Sequence, residues 1–345
     1  MPFDRFLVEP VHVSALGSSR TEASRGFLAV PMFPRRRSLD LFCFVSVAVV
    51  LLFFIRPSPR IHIPKTIQFE HQNGSFEDQL FSLFSQLGVA RSLHRVPVLN
   101  SAGDNFKLVR SLSGTIASRF PMILQQFKIV IEPDHPPNAE LGSQDSFEDP
   151  VEKLSEYIVP DMMVRGNGFR SYKYFHHIRP EVRQWMLGSA ENVREARSLL
   201  PDHQRDVFKI CVHTSENIKN LVDFKLILAG LHWILTKYGK ENERLLMVIS
   251  SNRTSISREI SDSAALSKFN FEKLYLISSP PEVQLTFSRL YCDTVLLTVP
   301  SSKFGFWMGY LAKGENNPVY YMNYEDVDRN DFTPPEWKKV AWKEV

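Results

Sequence analysis

The chain has 345 residues, of which 43% are hydrophobic and 23% are charged, and its formal net charge is +3. This composition is typical of a globular protein with room for two domains of ordinary size, and it excludes extensive disorder. No Lys/Arg run extends beyond the three arginines at 35–37, so we expect no nucleic-acid partner.

An uncharged and almost wholly apolar run covers residues 41–55. Its apolar side chains occupy every face of a helix rather than one stripe, which favours a membrane span over a buried core helix. The run is shorter than the ~20 residues that an average bilayer needs, but thin early secretory membranes tolerate a shorter span. Arginines flank the run on both sides, as is common at membrane boundaries.

A cleaved signal peptide is the nearest alternative, because the run has the length of a signal peptide's apolar region. Residues 1–40 are far longer than the usual charged region, however, and the sequence RPSPR that follows the run offers no small-residue cleavage site. We therefore predict a signal anchor at 41–55. The preceding positive charges predict that residues 1–40 form a cytoplasmic tail and that the chain from Arg56 onward is lumenal.

Residues 56–65 are predicted to form a Pro-containing stem. The next domain, residues 66–205, is predicted to contain a helix over 78–93, strands over 96–99 and 127–132, a polar loop over 133–150 and a helix over 179–186. In a lumenal chain, the sequons at Asn73 and Asn252 are candidate glycosylation sites. Asn252 follows an apolar strand at a polar turn, and we expect it to be modified more readily than Asn73.

A regular alternation of elements begins near residue 206. Five strands are predicted over 208–213, 245–250, 274–277, 293–299 and 318–322, and four helices over 223–238, 256–266, 281–291 and 304–312. This alternation predicts a doubly wound parallel sheet for the domain 206–345.

If the strands follow the order 3-2-1-4-5, the strand ending at His213 lies beside the strand that leads to Ser301 and Ser302, and a ligand crevice opens between them. Ser302 then either caps the following helix or helps its free amides to bind an anion such as phosphate. His213 is either a structural residue or part of the site. No cluster of cysteine and histidine has metal-ligand spacing, so no metal site is predicted.

Cys211 and Cys292 are the two cysteines outside the apolar run. They lie on neighbouring strands in this order, but Cys211 is in the middle of its strand and Cys292 at the start of its own. That difference in register can exceed the Cα separation that a disulfide allows. The sequence leaves both a disulfide and two free thiols open, and we favour two buried thiols.

Four segments, in order, resemble the α-1,2-fucosyltransferases in their diverged nematode form. They are SYKYFHHIRPEVRQW (171–185), KICVHT (209–214), YCDTVLLTVPSSKFGFWMGYLAKG (291–314) and FTPPEW (332–337), with a weaker match from residue 73. The resemblance implies a GT-B-like fold with two Rossmann-like domains, in a single-pass type II Golgi membrane protein. It also implies inverting transfer of L-fucose from GDP-fucose to a galactose 2-hydroxyl of a glycan, without a cofactor or an essential metal.

The same resemblance assigns donor-binding residues. In the family, a loop H-x-R-R-G-D grips the donor pyrophosphate and S-x-F-G lies across the crevice; here these patterns match His213, and Ser302, Phe304 and Gly305. Ser215 and Glu216 occupy the positions of the two arginines. Serine offers one neutral hydrogen bond and glutamate repels a phosphate, so the resemblance implies weakened donor binding.

The family's N-terminal loop G-x-L-G-N-Q is matched by Gly74 and Gln79, whereas Glu77 and Asp78 replace its second Gly and its Asn. These carboxylates are expected to repel the donor, and a glycan at Asn73 would obstruct the crevice. Lys219 is a candidate replacement cation. The catalytic base is not identified, and two functions remain open: a fucosyltransferase, or an impaired relative that binds a glycan or a partner protein.

Overall fold

The computed structural model describes residues 64–70, 74–101, 114–131, 136–142, 146–166, 169–214, 221–237, 245–250, 271–276, 279–314, 317–322 and 331–340. All of them belong to one compact unit, Ile63–Val345. The predicted signal anchor at 41–55 lies outside these ranges. Within the ranges, no helix combines the length and hydropathy needed to cross a bilayer.

The first half of this unit forms a five-stranded parallel sheet with the order β3-β2-β1-β5-β4. Its strands are β1 (Thr66–Phe69), β2 (Val96–Asn100), β3 (Lys128–Val130), β4 (Asn138–Glu140) and β5 (Asp161–Arg165). Its helices are α1 (Phe76–Ser92), α2 (Pro121–Leu124) and α3 (Pro150–Leu154), and residues 114–119 are also helical. β4 lies inside the segment that was predicted to be a polar loop, and that prediction was wrong: the edge strand buries only Ala139 of its three side chains.

A segment between the two sheets carries three short 3₁₀ turns and two helices. The turns are Tyr172–Tyr174, His176–Ile178 and Asp202–Gln204, and the helices are α4 (Arg179–Trp185) and α5 (Ala190–Ser198). Pro180 lies in the first turn of α4, where its missing N–H costs no hydrogen bond.

The second half forms a six-stranded parallel sheet with the order β11-β10-β9-β6-β7-β8. Its strands are β6 (Phe208–His213), β7 (Leu245–Ser250), β8 (Phe271–Tyr275), β9 (Thr294–Leu297), β10 (Val319–Met322) and β11 (Lys338–Val340). Its helices are α6 (Leu221–Lys237), α7 (Pro281–Tyr291) and α8 (Lys303–Leu311). The predicted order 3-2-1-4-5 is confirmed, with β11 as a sixth strand that the sequence did not indicate; the predicted helix over 256–266 lies outside the described residues.

Side chains of β6 alternate between two apolar layers. Ile210 and Val212 pack with α6 on one face of the sheet, while Cys211 belongs to the core that contains α7 and α8 on the other face. The connections from β6 and β9 therefore leave to opposite faces. In a parallel sheet this divergence opens a crevice at the carboxyl ends of the two strands.

Cys211 and Cys292 form a disulfide with a Cα–Cα distance of 5.6 Å, so the expectation of two free thiols was wrong. The register argument failed because Cys292 is not in a strand. It is the residue that ends α7, two residues before β9 begins, and the register of β9 therefore does not fix its distance from Cys211. The disulfide therefore links β6 covalently to the segment that leads into β9.

Candidate functional site

The carboxyl end of β6 and the start of α8 meet at the crevice. The backbone N–H and hydroxyl of Thr298 both donate to the His213 carbonyl, at 3.1 and 2.9 Å, which fixes the residue after β9 against the end of β6. Ser302 caps α8, because its hydroxyl oxygen accepts the Gly305 N–H at 3.1 Å. Of the two roles open to Ser302 from the sequence, the capping role is therefore observed directly.

The Ser302 hydroxyl also contacts the side chain of His213, with 2.8 Å between Oγ and Nε2. Oγ of Ser302 therefore bridges the Gly305 N–H and the imidazole. The three residues form a continuous chain from the helix amide to the end of β6. A sequence match had assigned all three to the donor site, and the fold brings them together.

Gly305 is required by this close approach. A Cβ atom added to residue 305 would lie 2.6 Å from Cδ2 of His213, well inside the distance at which carbon atoms repel. The half-buried Phe304 lies beside the same imidazole, with 5.4 Å between the ring centres. The S-x-F-G pattern thus places a hydroxyl group, an aromatic ring and a glycine backbone next to His213.

Burial lowers the pKa of His213 to about 4, and the nearby Ser250 backbone opposes the shift only in part. Nδ1 has no hydrogen-bond partner of ordinary geometry, and neither does the hydroxyl of the adjacent Thr214, within the part of the chain that the structure describes. His213 is therefore neutral near pH 7 and serves as a hydrogen-bonding group rather than as a cation.

The N-terminal loop forms the start of α1. Ser75 and Asp78 make a reciprocal capping box, in which each side chain accepts the other residue's backbone N–H. The Gln79 side chain donates to the Gly74 carbonyl at 3.3 Å. Gly74 and Gln79, both assigned to the donor site by resemblance, are thus joined to each other at the amino end of α1.

The amino ends of α1 and α8 touch, which brings the two halves of the site together. Nζ of Lys303 lies 2.7 Å from Oδ2 of Asp78, and Nε of Arg170 lies 3.3 Å from Oδ1. The Trp307 indole N–H donates to the Glu77 carbonyl at 3.3 Å. The expected repulsion between Asp78 and a donor is therefore offset, because two cations already neutralise this carboxylate.

Burial alone would raise the pKa of the Asp78 carboxyl. The hydrogen bond and charge of Lys303, together with Arg170 and Ser75, outweigh that effect and hold the pKa below its usual value. Sequence reasoning missed Arg170 and Lys303 as site residues. Lys303 is the basic residue within the matched S-x-F-G pattern and could have been identified from it. Arg170 lies outside every matched segment, and no sequence pattern indicates it.

Several predicted residues lie outside the described ranges: Ser215, Glu216, Lys219 and the sequons at Asn73 and Asn252. Within those ranges, no group of three or more His, Cys, Asp or Glu side chains is arranged to hold a metal ion.

Two further matched segments, 171–185 and 332–337, pack against each other. Arg179 forms an ion pair with Glu336 and stacks on Tyr310 of α8, with 5.0 Å from its guanidinium carbon to the ring centre. Lys173 pairs with Asp331 at 2.7 Å. The matched segments 171–185 and 332–337 thus contact each other, and the first also packs on α8.

Comparison with known proteins gives the following relationships. No protein-family model matches the chain. A galactoside 2-alpha-L-fucosyltransferase of Caenorhabditis elegans is 32% identical over 314 residues, covering 80% of this chain and 77% of the relative. An uncharacterized protein of the same organism is 44% identical over 331 residues, covering 90% of this chain and 99% of its own. Among solved structures, POFUT1 in complex with GDP-fucose aligns with a TM-score of 0.44 and 10% identity, covering 76% of this chain and 98% of that one.

Proposed function

Because the chain belongs to the galactoside 2-alpha-L-fucosyltransferase family, we propose that it transfers L-fucose from GDP-fucose to the 2-hydroxyl of a terminal galactose on a glycan. The family relationship supports fucose transfer. The acceptor, the inversion at the anomeric carbon and the independence from a metal are parts of the proposal.

The observation that carries the proposal is the contact between His213, Ser302 and Gly305 at the switch point of the six-stranded sheet. Open parallel sheets bind nucleotides at this point. A neutral histidine, a helix start and a close backbone approach suit an anionic diphosphate, since oriented N–H groups stabilise negative charge without a bound metal.

In the proposed reaction the galactose oxygen attacks the anomeric carbon of fucose from the face opposite GDP. The new C–O bond forms as the bond to the phosphate oxygen breaks, and GDP leaves with the electron pair. The acceptor proton passes to a base that no described contact identifies. Groups at the amino ends of α1 and α8 would stabilise the charge that develops on the leaving diphosphate.

The proposal places this reaction in the Golgi lumen, with the chain anchored as a single-pass type II membrane protein through residues 41–55. Alkaline carbonate extraction should leave the protein in the membrane pellet, and protease added to intact microsomes should remove only the N-terminal tail. Release into the supernatant would contradict this part of the proposal. Glycosidase treatment of Asn252→Gln and Asn73→Gln variants tests whether each sequon is lumenal and occupied.

A second candidate function is binding of a glycan or a partner protein without transfer. It is favoured by Ser215 and Glu216, which stand where the family has two arginines. Each lost charge-assisted hydrogen bond weakens binding by about 1.5–3 kcal/mol, so GDP is expected to bind at least about tenfold more weakly than to an arginine-bearing relative.

One experiment separates the two candidates. GDP binding is measured by calorimetry, and fucose transfer to a β-galactoside is assayed with GDP-fucose, for the full chain and for a Ser215→Arg/Glu216→Arg double variant. Slow transfer by the natural chain, with tighter GDP binding and faster transfer by the double variant, supports the proposed enzyme. Absence of transfer from both, with retained glycan binding, favours the second candidate. An unchanged GDP affinity in the double variant would mean that residues 215 and 216 do not face the donor.

A further inference from the structure

The ionic contact at the amino ends of α1 and α8 combines one carboxylate with two cations. Asp78 stands where the family pattern has Asn, Lys303 occupies the variable position of S-x-F-G, and the two side chains contact each other at 2.7 Å. The carboxylate is therefore matched by an ammonium group on the opposite wall. Arg170 adds a second cation to the same carboxylate.

The charges of this cluster do not cancel. Two cations face one carboxylate, so the cluster of Arg170, Asp78 and Lys303 carries a net charge of +1 when all three are ionised. The pKa of Asp78 is held below its usual value, which keeps the carboxylate ionised in the neutral range. The cluster includes Lys303, the residue that follows Ser302, and so places this positive charge at the start of α8.

The cations also keep hydrogen-bonding capacity. A lysine ammonium has three N–H donors, and the described contacts of Lys303 use one of them, on Asp78. Arg170 approaches Asp78 through Nε alone, and its terminal nitrogens make no other described contact. Both side chains are about one-third exposed, at 33% for Lys303 and 39% for Arg170, so an entering anion can reach them.

We propose that Lys303, oriented by Asp78 and assisted by Arg170, binds the diphosphate of the donor and thereby replaces the arginines missing at 215 and 216. This inference rests on the proposed donor site. The two unused N–H donors of Lys303, together with the terminal N–H groups of Arg170, would bind phosphate oxygens while Asp78 holds the lysine in place. A lysine supplies a point charge rather than a bidentate fork, so the replacement restores only part of the arginine affinity.

GDP binding to the full chain tests the assignment by calorimetry. Lys303→Met should weaken GDP binding about tenfold or more, as expected for loss of one charge-assisted hydrogen bond. Lys303→Arg should retain binding within a few-fold. Lys313→Met is a matched control, because Lys313 lies just beyond the other end of α8 and pairs with Asp293 at 2.8 Å; it should leave GDP binding unchanged. Arg170→Met should give a smaller loss than Lys303→Met.

Thermal denaturation of each variant separates ligand binding from folding. A loss of GDP affinity that Lys303→Arg rescues, at melting temperatures equal to that of Lys313→Met, supports a binding role. Equal GDP affinity of Lys303→Met and the natural chain would overturn it. If Lys219→Met instead produces the tenfold loss, the replacement cation is Lys219 and the inference is wrong.

The arginine-restored variant of residues 215 and 216 distinguishes failure of this inference from failure of the proposed function. If that variant binds GDP and the natural chain does not, the donor site exists and Lys303 fails to replace the arginines. If neither binds GDP, the donor site itself is refuted and the inference fails with it.

Discussion

The contact between helices α1 and α8 is apolar along most of its length and ionic at its amino end. Along most of the contact between α1 and α8, aromatic rings pack without exposure: Trp307 lies 5.0 Å from Phe81 and 5.3 Å from Phe84, measured between ring centres. At its amino end, the same contact consists of the ion pairs of Asp78. We refer to these regions as the aromatic seam and the charged mouth.

This difference indicates at which of the two regions substitutions cost little stability. Burying a large aromatic side chain contributes several kcal/mol, and a replacement in a packed core leaves a cavity. Partly exposed ion pairs contribute only about 0–1 kcal/mol. Asp78, which departs from the family pattern, lies at the charged mouth, and the second departure, Glu77, directly precedes it in sequence. A change of ligand chemistry there therefore costs little stability.

Truncation within the aromatic seam should have the largest effect. Trp307→Ala removes a fully buried ring that also stacks on Phe175 at 5.5 Å, and it should lower the free energy of unfolding by about 3–5 kcal/mol. Urea denaturation followed by circular dichroism measures the loss. The control Phe304→Ala truncates a half-buried ring on the same helix and should cost markedly less; equal losses would mean that the seam does not hold the contact.

The disulfide tests whether the charged mouth depends on a covalent support. Cys211→Ala/Cys292→Ala opens a link across 81 residues of sequence and should lower the unfolding free energy by about 2–4 kcal/mol. GDP binding should change little under conditions where the variant is folded, because the His213 contacts do not involve the sulfurs. Mass spectrometry after alkylation without reductant checks the bond first, and two alkylated cysteines in the natural chain would contradict the structure.

Acidification should destabilise the fold through the histidine at the crevice. The pKa of His213 falls to about 4 in the folded chain, from an ordinary value of about 6.5, so the unfolded chain binds more protons between these values. Stability should fall as pH decreases from about 6.5 to about 4, by up to about 3 kcal/mol. Urea titrations at several pH values measure the slope, which His213→Gln should reduce and the exposed-site control His94→Gln should not.

A single methyl group at Gly305 should give the smallest effect on stability. Gly305→Ala forces a carbon to within 2.6 Å of the His213 ring, so the ring or the backbone of α8 must shift at a cost of about 1–3 kcal/mol. Gly114→Ala is the control, since nothing lies within 4 Å of its added carbon. Nuclear magnetic resonance of the His213 ring should report its displacement, and an unchanged His213 signal in Gly305→Ala would argue against the tight approach.

Much of the second half could be read from the sequence. The strand Leu245–Ser250 is apolar up to its last residue, because helices cover both faces of the sheet, and its bounds and those of Phe208–His213 agree with the prediction. The first half was less readable. Strands such as Thr66–Phe69 and Asp161–Arg165 are short and carry polar residues, and tertiary pairing rather than local preference defines them.

The sequence by itself determined the alternation of elements, because alternation depends on local periodicity. It also carried the resemblance through which His213, Ser302, Phe304 and Gly305 were matched to one family. The strand order entered as the common order of such sheets, and the structure confirmed it. The tertiary structure decided what those residues contact. Cys292 reaches Cys211 because the end of a helix, not a strand register, sets its position. Asp78 is neutralised because Lys303 and Arg170 lie 225 and 92 residues away along the chain yet touch it in space. Pairing over such distances depends on how the two sheets pack, which no local pattern encodes.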